Sequence, residues 1–357
     1  MFKKLFVLIS MLVVLSLVGA ACAPAATPEP PPPPPPAPAV EEPAPAPVQE
    51  VLEPVKVYKM AVIFPGVITD ADYNTLGYIG MTSVQSDLGI ETAYSEGVPV
   101  PDVDRVMREY IDGGFNIIFT HGGQYLSQTI ELAKTFEDVV FIGEGDGPVE
   151  NPPANFWIID RRFHVPFYAI GALAAKATQN GKIAYIGGLK LPFSYSEVHA
   201  MEQAIADLGV DVKLKPAWVG NFNDPTAARA LTETLIAEGN DVIIGSLNLG
   251  MLGVFEAAKA SPTKVLVTAK YTDKTLFAPD HYITSALYDW AGPLKDIVKR
   301  VQAGETGGYF PMTFETGVAI QTPLRNVTPE LQAEMDAILS DLLSGKIEVK
   351  KDVTAIE

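Results

Sequence analysis

Asp70, Asp72 and Asn74 crowd a single turn of this sequence, with the ring of Tyr73 held among them. The stretch TDADYNTLGYIG follows an apolar run, Met60 to Phe64, and opens an amphipathic segment through Leu88. Asp and Asn at such a strand-to-helix turn act first as N-caps, because their side chains accept from the orphan N–H groups of the first helical turn. Capping occupies one or two of the three and gives no reason for an aromatic in the same turn. A planar ring flanked by polar atoms at a helix N-terminus suits a flat polar ligand. A second turn of this kind is WVGNFNDP, Trp218 to Pro225, where Asp224 caps, Pro225 starts a helix and Phe222 sits in the turn. Phe222 is read as the partner of Tyr73, the alternative being a plug under its helix as in a hydrophobic staple. Two such rings on facing turns clamp a flat ligand, and base–aromatic stacking contributes about 1–3 kcal/mol per base in nucleic-acid binders.

Other chemistry-bearing residues support an enzyme less well. Glu144 and Asp146 are close carboxylates, and His121 lies on the glycine-rich turn HGGQY, a set that hydrolases use. No nucleophile motif or phosphate loop accompanies them, and His121, His164, His199 and His281 have no metal-ligand spacing. His121 either lines a cleft or caps its turn. Arg161 and Arg162 read as hinge or interface residues. The expectation is a binding protein, not an enzyme, without cofactor or metal.

The elements that must position these residues alternate. Strands are expected at Val57–Phe64, Gly89–Tyr94, Asn116–Phe119, Val139–Ile142 and Asn155–Asp160, with helices at Asn74–Leu88, Val103–Asp112 and Leu126–Phe136. After a small-residue helix at Pro166–Gln179 the alternation restarts. Strands follow at Lys182–Ile186, Val212–Val219, Asp241–Gly245, Lys264–Thr268 and Tyr282–Ala286, and helices at Glu197–Leu208, Pro225–Glu238 and Leu249–Lys259. This succession predicts an α/β protein of two doubly wound parallel-sheet lobes joined by a hinge. Residues 55–160 form the first lobe and 161–290 the second. Residues 291–357 supply a hinge-crossing helix, a return segment and a C-terminal helix and tail. Ligands of open α/β sheets bind outside the carboxyl ends of the strands, which is where both aromatic turns fall. Asn248, beyond Asp241–Gly245, is a further polar candidate.

The net charge of −17 argues against nucleic acid and against a basic membrane-binding patch. Residues 1–21 have the layout of a secretory signal: Lys3 and Lys4, an apolar run from Leu5 to Val18, then Gly19-Ala20-Ala21 before Cys22. Cys22 is the single cysteine, so an internal disulfide is excluded. A cysteine directly after such a site resembles a lipoprotein lipobox, with Gly19 where Leu is usual, and predicts lipidation of Cys22. Residues 22–54 form a stalk of Pro, Ala, Val and Glu that cannot build a core. Extended as polyproline II it reaches on the order of 100 Å, holding the folded part clear of a membrane.

Taken in order, these motifs resemble the basic membrane protein family of substrate-binding lipoproteins, which includes purine nucleoside receptors of bacterial ABC transporters. The DADYN turn resembles that family's Asp-x-Ser-Phe-Asn, with Tyr73 at the stacking aromatic, Asn74 at its Asn and Asp72 in place of Ser. DVVFIGEGDG resembles a family strand ending in an acidic residue, here Asp146. FYAIGALAAK, KIAYIGG and GNFNDP match further motifs, and the similarity runs from Lys59 to about Thr322. The resemblance implies a type I periplasmic-binding-protein-like fold and a monomer on the extracytoplasmic face of the cell membrane, anchored by lipid and delivering a purine to an ABC permease. Nucleoside-binding members hold ribose with an Asp and a Lys. This chain has Ala269 and Lys270 near the first place and Tyr288 near the second, so a free base is expected ahead of a nucleoside. The run FAPDHYITSALYDWAGP resembles the branch that binds free bases and adds Asp289 and Trp290 as candidates for closing over a smaller ligand. The alternatives are a nucleoside binder, or a ligand-sensing module that reports to a membrane receptor.

Overall fold

The computed structural model describes residues 57–357; the signal segment, Cys22 and the whole of the proline-rich stalk lie outside them. Lys56–Glu357 is one compact unit built on two six-stranded sheets. The KMAVI run forms β1 (Lys59–Ile63), apolar and buried along nearly its whole length, as a central parallel strand covered on both faces must be. Next come α1 (Tyr73–Leu88), β2 (Glu91–Ser95), α2 (Val103–Asp112), β3 (Ile117–Thr120), α3 (Leu126–Ala133), β4 (Val140–Gly145) and β5 (Phe156–Asp160). A later strand, β11 (Gly308–Pro311), completes the first sheet in the order β11-β5-β4-β3-β1-β2, with every pairing parallel.

The second lobe begins with α4 (His164–Ala177), an apolar, small-residue helix buried at nearly every position. It continues through β6 (Lys182–Gly187), α5 (Pro192–Leu208), β7 (Lys213–Trp218), α6 (Pro225–Ala237), β8 (Val242–Ser246), α7 (Met251–Ala260), β9 (Leu266–Tyr271) and β10 (Tyr282–Tyr288). With β12 (Val318–Ile320) the sheet order is β12-β10-β9-β8-β6-β7. The helices α8 (Ala291–Gln302) and α9 (Pro329–Leu343) complete the chain, α8 lying on α1 of the first lobe.

Three departures from the sequence reading matter. The second sheet is not wholly parallel, since β12 pairs antiparallel with β10. The return segment is two short edge strands, one in each sheet, so the chain passes between lobes three times: after β5, after β10 and between β11 and β12. Such short pieces carry too little periodicity to read as strands. Finally, α5 starts at Pro192 and not at Glu197. Pro at the first helical position has its φ set for the helix and gives up an N–H that would be orphaned anyway, so PFSY is a helix start.

Candidate ligand site between the two lobes

The carboxyl ends of the strands in both sheets open onto one cavity of about 360 Å³. The first lobe contributes Pro65, Gly66, Tyr73, Asn74 and Gln124, and the first crossover contributes Arg161. From the second lobe come Leu189, Leu191, Phe193, Phe222, Asn223, Asn248 and Tyr271. The aromatic walls are Tyr73 on one side and Phe193, Phe222 and Tyr271 on the other. Sequence reasoning placed Tyr73, Asn74, Phe222 and Asn248 at a ligand, and the fold brings all four to this cavity.

Asp70 organises the turn that carries Tyr73. One carboxylate oxygen accepts from the N–H groups of Asp72 at 3.0 Å and Thr75 at 3.1 Å. The other accepts from the Asn74 N–H at 3.1 Å and from Asn74 Nδ2 at 2.7 Å. It also accepts from Asn248 Nδ2 of the second lobe at 3.0 Å. With its amide nitrogen taken, Asn74 keeps its Oδ1 as an acceptor, buried and without a partner among the described residues.

Tyr73 is fixed from behind. Its ring stacks on His121, with centroids 4.0 Å apart. Its hydroxyl donates to Glu144, and burial together with that carboxylate pushes the phenol well up, so it stays a donor. His121 is fully buried, and its Nε2 bonds the Tyr73 carbonyl at 2.8 Å. Its Nδ1 lies 2.6 Å from Glu144 Oε1. Gly77 permits this arrangement, because a Cβ there would lie 2.7 Å from the imidazole. Burial alone would raise the Glu144 carboxyl, but His121, Arg161 and Tyr73 hold it below its ordinary range. Phe222 rests on the backbone of Gly188, where a Cβ would fall 2.2 Å from its ring, and it stacks on Phe193 at 6.1 Å.

Several expected ligand contacts sit elsewhere. His121 neither lines the cavity nor caps a turn; it is the layer behind Tyr73. Asp72 is buried against the second lobe, where its Oδ1 accepts from Lys274 Nζ at 2.7 Å and Thr272 Oγ1 at 2.8 Å. Asp146 Oδ2 is 2.7 Å from Arg161 Nη2. Lys270 is fully buried, 2.5 Å from Glu197 Oε1 and 3.4 Å from the centroid of Phe163, and burial lowers its pKa to about 8 against the pull of Glu197. Tyr288 is buried edge-on to Phe163 at 4.9 Å. Asp289 caps α8 by accepting from the N–H groups of Ala291 at 2.8 Å and Gly292 at 3.1 Å. Trp290 is fully buried and donates from Nε1 to Glu144 Oε1 at 2.8 Å.

Arg161, Phe193, Tyr271 and Gln124 line the cavity without having been predicted there. Arg161 directly follows β5, so its position at a strand's carboxyl end was the available signal. The Pro192 helix start was the corresponding signal for Phe193. Among the described residues no cluster of acidic, His or Cys side chains is arranged to hold a metal, and no helix is long and apolar enough to cross a membrane.

An ABC transporter solute-binding protein from Conexibacter woesei superposes with a TM-score of 0.65 at 21% identity, covering 83% of this chain and 99% of its own. Basic membrane protein A2 of Borrelia garinii is 24% identical over 310 residues, 81% of this chain and 87% of its own. A Haloferax volcanii ABC transporter protein whose name proposes glucose binding is 25% identical, over 73% of this chain and 65% of its own. A purine-binding protein of Brucella abortus is 27% identical over 217 residues, 60% of each chain. The family model for PnrA-like ABC transporter substrate-binding proteins, Bmp, matches residues 57–352, and the chain belongs to that family.

Proposed function

We propose that the cavity takes a purine, the free base in preference to the nucleoside, for delivery to an ABC permease. The observation that carries this reading is the composition of the wall. Aromatic rings from both lobes face one space, and among the described residues none that lines it is Asp, Glu or Lys. A ribose diol calls for such a group, since a buried polar group left unmatched costs about 1–3 kcal/mol. A volume of about 360 Å³ is near the small end of ligand pockets, roughly 300–1,000 Å³. Membership of the family brings a permease partner and an extracytoplasmic, membrane-associated setting, and the signal-like residues 1–21 with Cys22 support attachment by lipid. The purine named for the Brucella relative supports the ligand class.

Mass spectrometry of whatever small molecule co-purifies, followed by calorimetry with adenine, hypoxanthine, guanine and their nucleosides, tests the reading. Tyr73→Ala and Phe222→Ala are each expected to weaken base binding by about tenfold to a hundredfold, the effect of losing one stacking face. Alanine variants that bind like the parent would remove the clamp. Tighter binding of nucleosides would overturn the free-base preference, and binding of glucose with no purine bound would overturn the ligand class.

A further inference from the structure

We infer that Arg161 makes this pocket selective for 6-oxopurines over 6-aminopurines; the inference rests on the purine reading above. Among the described residues that line the cavity, Arg161 is the one with a formal charge, and its side chain is 6% exposed. A guanidinium is a fork of N–H donors with no acceptor. Here Nη2 donates to Asp146 Oδ2 at 2.7 Å, Nε to the Gly145 carbonyl at 3.4 Å, and Nη1 reaches the Tyr73 hydroxyl at 3.5 Å. These bonds use three of the five N–H groups and fix the plane of the fork. The rings of Phe163 and Phe193, with centroids 4.9 and 5.5 Å from Cζ, hold its faces. The group is therefore preorganised, and whatever ligand edge meets it has to present acceptors.

The purines differ at this point. A 6-oxopurine carries O6 beside N7, two adjacent acceptors that a guanidinium matches with both prongs. A 6-aminopurine carries an amino donor beside N7, so one prong meets another donor. An amide wall could adapt by flipping, which a guanidinium cannot do. Asn74 reinforces the selection from its own side of the cavity. Its Nδ2 is committed to Asp70, which leaves a buried Oδ1, unpartnered among the described residues, that accepts but does not donate. A 6-oxopurine has the ring N–H at position 1 that such an acceptor takes, and adenine has only a lone pair there.

The test is calorimetry on the full chain, freed of co-purifying ligand, with hypoxanthine, guanine and adenine. Hypoxanthine and guanine are expected to bind about tenfold to a hundredfold tighter than adenine, the range for a bidentate contact against the wrong base. Arg161→Lys keeps the charge beside Asp146 and loses the fork. It is expected to reduce the preference to within about threefold, mainly by weakening the oxopurines. Thermal unfolding of the variant establishes that it is folded. If adenine binds the parent as tightly as hypoxanthine, the selection is wrong while the purine reading stands. If folded Arg161→Lys keeps the full preference, Arg161 is not the selector. If no purine binds, the purine reading fails first and takes this inference with it.

Discussion

Asp72 gives closure of the two lobes a pH dependence opposite in sign to the one its lysine partner suggests. Its carboxylate joins the first lobe to Lys274 and Thr272 of the second, while Oδ2 is buried with no partner among the described residues. Burial raises its pKa from 3.8 to about 7, outweighing the opposing pull of Lys274 and Thr272, and Asp70 adds to the rise. When the lobes part, the carboxyl regains water and its pKa returns toward the ordinary value. A group whose pKa is higher in the closed state takes up a proton on closing. Its contribution to closure is therefore complete below about pH 4 and is lost as the pH rises toward about 7. A shift of that size corresponds to about 4 kcal/mol as an upper limit, at about 1.4 kcal/mol per unit.

Between about pH 7.5 and pH 5.5 the full shift tightens a closure-coupled ligand about 25-fold, and a closed-state pKa one unit lower tightens it about fourfold. Calorimetry at about pH 6.5 in buffers of different ionisation enthalpy measures the proton uptake directly, using a ligand that does not itself titrate there. Asp72→Asn keeps the shape and an acceptor for Lys274 and removes the titration, so slope and uptake should both vanish. Proton release on binding by the parent, or a slope that survives in the Asn variant, would refute the reasoning.

Two further perturbations reach other parts of the chain. Lys270→Met leaves Glu197 fully buried with the Tyr185 hydroxyl, at 2.7 Å, as its one remaining side-chain donor among the described residues, and breaking such a pair should cost about 3–5 kcal/mol in denaturant unfolding; a variant as stable as the parent would show that the pair does not hold the fold together. Cys22→Ala should move the protein from the membrane fraction to the soluble one with ligand affinity unchanged, and equal membrane association of variant and parent would count against lipidation.

The parts of the site legible in the sequence are those set by local grammar. An apolar strand, a polar turn, an aromatic and a cap suffice to place Tyr73 and Phe222 at strand carboxyl ends, and Asn248 follows from the same rule. What could not be read is which face of a strand end looks into the cavity. Lys270 and Tyr271 are adjacent at the end of β9, where Tyr271 takes a φ of 75° and leaves the alternation of faces that a regular strand keeps. Tyr271 lines the cavity and Lys270 enters the aromatic core, and a sequence without register gives no preference between them. Trp290 and His121 were recognised as belonging near the site, but depth is a tertiary property, and both stand behind Tyr73. The Asp72–Lys274 contact joins residues 202 positions apart and has no local signal at all.

The fate of the charges explains why a cavity backed by so many buried carboxylates would suit the uncharged, flat molecule proposed for it. Asp70 is committed to the α1 turn and to Asn248, Asp72 to Lys274, and Glu144 to Tyr73 and Trp290. Glu197 holds Lys270 outside the cavity wall. Each of these pairs fixes a wall or joins the lobes, and none leaves a free anion facing the ligand. Asp146 is held by Arg161, so the one charged side chain on the wall is already neutralised by a neighbour. A charged ligand entering such a space would lose its hydration without gaining an unpaired counter-ion, which is a large cost in a low-dielectric interior. A planar heterocycle loses little hydration, gains ring faces from both lobes, and meets hydrogen-bonding groups whose directions are fixed before it arrives.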